Sequence, residues 1–81
     1  MPDILVCCNG YFLGIEIKAT QGKPSRLQLH HIEEINAAGG FAMVLYPDQF
    51  ELFKNLILQL KADYIPYAID SLSQINKRVV T

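Results

Sequence analysis

The chain has few cysteines, no basic excess and no long apolar run, and each shortage removes a class of protein. Cys7 and Cys8 are the only cysteines. On an extended strand two adjacent residues point to opposite faces, so this pair neither builds a disulfide framework nor supplies the C-x-x-C spacing of a metal knuckle. A reducing, cytoplasmic setting fits such usage best. Seven Lys and Arg against eight Asp and Glu leave a net charge of -1. That balance argues against binding nucleic acid by bulk charge, so any such role must come from a local site. No basic segment followed by an apolar stretch opens the chain, and its apolar runs are too short to cross a bilayer, so no membrane role is expected.

What is present describes one ordered domain. Half of the 81 residues are apolar (51%), with four Pro, five Gly and no low-complexity segment, which is a globular composition with a thin stability margin at this length. Two strand-like runs, Ile4 to Cys8 and Tyr11 to Lys18, are separated by Asn9-Gly10, the strongest local hairpin signal. After a loop over Ala19 to Pro24, Ser25 stands three residues before Gln28. That is the capping-box spacing, and it predicts a helix from Arg26 to about Ala38, ended by Gly39-Gly40. Phe41 to Leu45 reads as a buried strand, parallel to the one from Tyr11, because a helix connects them. The sheet is therefore expected to be mixed and the fold class α/β.

Pro47-Asp48 followed by Glu51 repeats the helix-start pattern, and Phe50, Phe53, Leu56, Ile57 and Leu60 recur at helical spacing, which predicts a second helix from about Gln49 to Lys61 with those residues facing the core. Tyr64 to Tyr67 reads as extended, and Ser71 to Arg78 as a short helix or a frayed tail.

A two-residue turn fixes register, so residues whose numbers sum to nineteen face each other and Asp3 meets Glu16. Period-two alternation puts Ile4, Val6, Cys8, Leu13, Ile15 and Ile17 on one face and Asp3, Glu16 and Lys18 on the other. Opposed carboxylates roughly 5 Å apart destabilise a hairpin unless a cation lies between them. Two such groups suit a hard divalent ion such as Mg²⁺. Lys18 is then placed to orient or deprotonate a water, or to neutralise charge on a phosphate, in phosphodiester hydrolysis. On its own Glu16-x-Lys18 is an ordinary charged strand face; the Pro2-Asp3 pair at the matching register is what gives it meaning.

Pro2-Asp3, a hairpin, then Glu16-Ile17-Lys18 resembles the PD-(D/E)XK nuclease superfamily. Within it the pattern is most similar to the VRR-NUC domain, the virus-type replication-repair nuclease related to Holliday junction resolvases, since the Ser25/Gln28 helix start and the Ala38-Gly39-Gly40 helix end also correspond. The resemblance covers roughly residues 2 to 58. It implies a restriction-endonuclease-like core over residues 1–61, with 62–81 an extension of unknown role. It further implies Mg²⁺, or Mn²⁺ in its place, on Asp3, Glu16 and the Ile17 carbonyl, with Lys18 as catalytic lysine and Gln28 at the edge of the site. The implied activity is a DNA endonuclease acting on junctions or flaps. Family members usually begin with a helix and a first strand, whereas this chain starts at Met1-Pro2-Asp3. A truncated core is therefore expected, with an exposed apolar hairpin face and association into a homodimer or higher homo-oligomer. The alternative is an inactive nuclease-derived module for DNA binding or assembly.

Gln28 is also fully accounted for as the third residue of the capping box, and Ser25 as its N-cap. His30 and His31 are adjacent on a helix and cannot form the i, i+4 pair of a zinc site. Lys23 and Arg26 make, with Lys18, a basic cluster that could steer a phosphate backbone. Lys77 and Arg78 read as tail charge.

Overall fold

The computed structural model describes residues 3–79. Asn9 and Gly10 both take positive φ, 52° and 83°, the mirror-image turn whose twist matches the strands it joins. The hairpin follows, with β1 (Ile4–Cys8) antiparallel to β2 (Tyr11–Ile17) and Cys8 opposite Tyr11, Val6 opposite Leu13 and Ile4 opposite Ile15. Every one of these pairs sums to nineteen, as the turn requires. The Asn9 side-chain amide donates to the Leu60 carbonyl at 2.9 Å and pins the turn to the helices below.

Ser25 caps α1 (Arg26–Ala37): its hydroxyl accepts the Gln28 N–H, and the Gln28 side chain accepts the Ser25 N–H. At the other end Gly39 has φ of 95°, and a Cβ on Gly40 would lie 2.8 Å from Ile35 Cγ2. Only the second glycine is needed for space. The chain then enters β3 (Phe41–Leu45), parallel to β2, so the three-stranded sheet is mixed, in the order β1-β2-β3, and the domain is a small α/β fold.

After a 3₁₀ turn at Pro47–Gln49, α2 (Phe50–Lys61) and α3 (Ile65–Asn76) pack together on one face of the sheet. Leu13, Ile15, Phe41, Met43, Leu45, Leu56, Leu60, Ala68 and Ile75 form that core. Burying each large side chain here contributes about 1.5–3 kcal/mol. On the opposite face α1 meets β3 through a smaller cluster of Ile32, Ala42, Val44 and Tyr46. Among the described residues no helix is long and apolar enough to cross a membrane.

Three expectations are corrected. Phe50 is exposed, not core-facing, because it stands at the first position of α2, before the helix has turned toward the sheet. The expected Asp48/Glu51 capping box does not form: Gln49 accepts the Tyr46 N–H instead, and Asp48 pairs with Arg78 at 2.8 Å. Tyr64–Tyr67 is not extended, since α3 begins at Ile65 and Pro66 sits in its first turn, where a missing N–H costs nothing. Ala68, Ser71 and Ile75 then fall on one buried face, so α3 contributes Ala68 and Ile75 to the core.

The two edges of the sheet differ. Along β3, Asn36 Oδ1 accepts the Ala42 N–H at 2.6 Å and Asn76 Oδ1 accepts the Val44 N–H at 3.3 Å, while both amides donate to the Ala42 carbonyl at 3.0 Å. Side chains thus occupy the positions a further strand would take. Along β1 nothing comparable occurs among the described residues, and Ile4, Leu5, Val6 and Cys7 are exposed. Ile4 and Val6 belong to the apolar hairpin face, which is open at this edge as the sequence implied, while Leu5 and Cys7 project from the other face.

Candidate active site

Asp3 lies just before β1, and its Oδ2 accepts the Ile17 N–H at 3.0 Å across the hairpin. The paired register ends at Ile4 opposite Ile15, and one position further Asp3 comes close enough to Glu16 for its charge to act on that carboxyl. Pro2, the other half of the motif, lies outside the described residues. Ile17, whose carbonyl is the third expected ligand, is held between Glu16 and Lys18 by the Asp3 bond.

Glu16 is only 4% exposed, on the face that α1 covers. Its Oε1 accepts a bond from Gln28 Nε2 at 2.9 Å and has Lys18 Nζ at 3.8 Å. The Gln28 amide therefore works at both ends, with Oε1 closing the capping box and Nε2 holding the buried carboxylate. The cap does not take the amide away from Glu16, since both bonds are made at once. Burial pushes the Glu16 carboxyl above the ordinary carboxylate range; the nearby Asp3 charge and a hydrogen bond with Asp3 push it further, and Lys18 pulls it partly back. Asp3, Glu16, Lys18 and Gln28 are thus brought to one place. Among the described residues no group of three or more His, Cys, Asp and Glu side chains is gathered, so the acidic set here is this pair. Two carboxylates beside a backbone carbonyl form an all-oxygen donor set of the kind hard divalent ions take.

The direction of the Glu16 shift fixes a stability prediction. A carboxyl whose folded pKa lies above its unfolded value costs nothing while both states are protonated, and costs stability once pH exceeds the folded pKa. Glu16→Gln is therefore expected to raise the metal-free melting temperature at pH 8 but not at pH 4. Relief of one opposed like-charge pair is worth about 1 kcal/mol, or about 4–8 °C in a domain of this size. Calorimetric scans at the two pH values check it, and equal midpoints for parent and variant at pH 8 would contradict the account.

Gln28→Glu separates the two functions of that side chain. It keeps an oxygen for the Ser25 N–H but swaps the donor to Glu16 for a negative charge. The expected result is a melting temperature lowered by several degrees at pH 8 and close to the parent's at pH 4, with the acidic limb of the pH–rate profile displaced upward; an unchanged melting temperature at pH 8 would contradict it.

Lys23 and Arg26 are exposed on the flanking loop and the first turn of α1, and among the described residues neither pairs with a carboxylate. His30 and His31 approach Glu34 at 3.4 and 3.5 Å on the surface of α1, as plain surface histidines do.

Sequence reasoning missed Arg78. Its guanidinium stacks 3.9 Å over the Tyr46 ring, bonds Asp48, and donates to the Thr20 carbonyl at 3.0 Å. Tyr46 in turn donates its hydroxyl proton to the Gly22 carbonyl at 2.8 Å. The loop after Lys18 is thereby tied down from 58 positions along the chain, a separation no local pattern reports. Comparison with family models, curated proteins and solved structures gives no match.

Proposed function

We propose that this protein is a Mg²⁺-dependent endonuclease that hydrolyses DNA phosphodiester bonds, with Asp3, Glu16 and the Ile17 carbonyl as metal ligands. The observation that carries the reading is the burial of Glu16 beside Asp3, with the Lys18 ammonium at 3.8 Å and the Gln28 amide bonded to it at 2.9 Å. A buried acid facing a second acid is costly in a hairpin, and its retention is accounted for by a cation between them. A divalent ion there supplies Lewis acidity to the phosphate and neutralises developing charge. Asp3 and Glu16 would hold and orient it, Gln28 fixes the Glu16 carboxylate, and Lys18 is placed to take a proton from water when its amine is neutral, or to meet phosphate charge as an ammonium.

The resemblance of Asp3, Glu16-Ile17-Lys18 and Ser25/Gln28 to the VRR-NUC pattern supports this reading and extends it to junction and flap DNA, with Mn²⁺ as an alternative metal. A cytoplasmic location and association into a homo-oligomer through the open β1 side belong to the same proposal. The second reading, an inactive DNA-binding or assembly module, is favoured by one observation, the exposed apolar residues Ile4, Leu5, Val6 and Phe12 around the hairpin.

Purified protein incubated with labelled four-way junction and flap DNA, in Mg²⁺, Mn²⁺ or EDTA, separates the two. Metal-dependent cleavage that disappears in Glu16→Ala supports the enzyme. Binding without cutting in either metal supports the module.

A further inference from the structure

We infer that the cleft beside the catalytic strand seats one unpaired nucleotide of the DNA, next to the phosphodiester that is cut. The inference rests on the nuclease reading and names its substrate class: DNA with a nucleotide out of its stack at the cleavage point.

The cleft has a volume of about 410 Å³ and is lined by Thr20, Gly22, Lys23, Pro24, Leu29 and Arg78 among others. Ligand pockets begin at about 300 Å³. It adjoins the acidic site through the chain itself. Thr20 follows Lys18 by two residues, and Leu29 follows Gln28 by one. Gly22, in the cleft lining, also lies against Lys18: a Cβ on it would stand 3.4 Å from Lys18 Cβ, so a nucleotide next to a phosphate held at Lys18 is within reach of this opening.

The lining has the chemistry of a nucleotide site in three parts. Arg78 is fixed by Asp48, the Thr20 carbonyl and the Tyr46 ring, which covers one side of its guanidinium plane. Its side chain is still 33% exposed, and it lines the cleft. Bases splayed out of a helix stack on guanidinium planes of this kind. Since Asp48 balances its charge, Arg78 offers a flat surface more than a cation. Lys23, by contrast, has no carboxylate partner among the described residues and lines the same cleft, so its ammonium is available to a backbone phosphate. Pro24, Leu29 and Val79 complete an apolar wall. A base inside a duplex is stacked on both faces and cannot enter such a cleft without leaving the stack, which costs a few kcal/mol. The cleft therefore selects DNA in which that cost is already met.

The test combines two readouts on the intact protein. Thymidine 5′-monophosphate is titrated against ¹⁵N-labelled protein, and the anisotropy of fluorescent flap DNA is compared with that of blunt duplex in EDTA. Val79→Trp fills the cleft from a half-buried position, and Lys23→Ala removes the phosphate partner from an exposed loop. The expected results are shifts of the Gly22 and Leu29 amides with the nucleotide, and about a tenfold preference for flap over duplex, near the lower end of what stacking one base supplies. Val79→Trp should remove the amide shifts, and both variants should lose most of the preference. Parent-like flap preference in both variants, or nucleotide shifts confined to other parts of the protein, would overturn the inference even if the parent cuts DNA. Conversely, amide shifts lost in Val79→Trp in a protein that cuts no DNA would leave the cleft assigned and remove the nuclease reading. If Val79→Trp fails to fold, Lys23→Ala and the titration decide.

Discussion

Lys18→Met is expected to lower the rate of DNA cleavage by about 10²–10⁴-fold, the contribution typical of a positioned proton-transfer group, while the protein stays folded. Lys18 follows the last residue of β2, its N–H donates to the Leu45 carbonyl at 3.1 Å, and that backbone bond survives the substitution. Its side chain is 23% exposed, so the aliphatic stem of methionine replaces the lysine stem without opening the core. What is lost is the ammonium 3.8 Å from Glu16. Because that charge is what draws the Glu16 carboxyl back down, its removal pushes the carboxyl higher still. Residual activity should therefore show an acidic limb moved to higher pH. Lys18→Arg distinguishes two roles, since a guanidinium keeps the positive charge but does not give up its proton. Rescue by arginine assigns Lys18 to charge neutralisation, and failure of rescue assigns it to proton transfer. Parent-level cleavage by Lys18→Met would sink the proposed chemistry.

The largest effect on stability is expected at the β3 edge. Asn76 is 8% exposed, accepts from Val44, which is fully buried, and donates to the Ala42 carbonyl. Asn76→Ala orphans the Val44 N–H, and an unpaired buried donor costs about 1–3 kcal/mol. The Ala42 carbonyl keeps one partner, Asn36. In the double variant Asn36→Ala/Asn76→Ala that carbonyl loses both partners, and the Ala42 N–H loses its acceptor too. The double loss should exceed the sum of the single losses by about 1 kcal/mol, because each amide covers for the other at one oxygen. Urea unfolding of the four proteins measures this directly, and strict additivity would show that the two asparagines act independently.

Much of the proposed site was legible because its determinants are local. Asn9-Gly10 fixes the register, register sets Asp3 against Glu16, and Ser25 with Gln28 starts the helix that lies over them. Alternation along β2 correctly separated Leu13 and Ile15 from Glu16. The same reasoning failed where a residue's role depends on distant chain. Tyr64-Ile65-Pro66-Tyr67 is rich in residues that favour extended backbone, yet the burial of Ala68 and Ile75 against the sheet makes this stretch helical. Phe50 fits the apolar period of α2 but stands one turn too early to reach the core. The Asp48 carboxylate, read as a helix cap, is taken by Arg78 from 30 positions further along the chain. Asn36 and Asn76 carry no signal in sequence, because their amides act on backbone 6 and 32 or more positions away.

The unequal edges of the sheet set an upper size on what it can build. Two copies joined side by side through β1 would spend both open borders and present only asparagine-stoppered ones, so the ribbon would end at six strands instead of growing into a fibre. That arrangement would also bring the two acidic pairs to the seam, one near each end of it, since Asp3 immediately precedes β1.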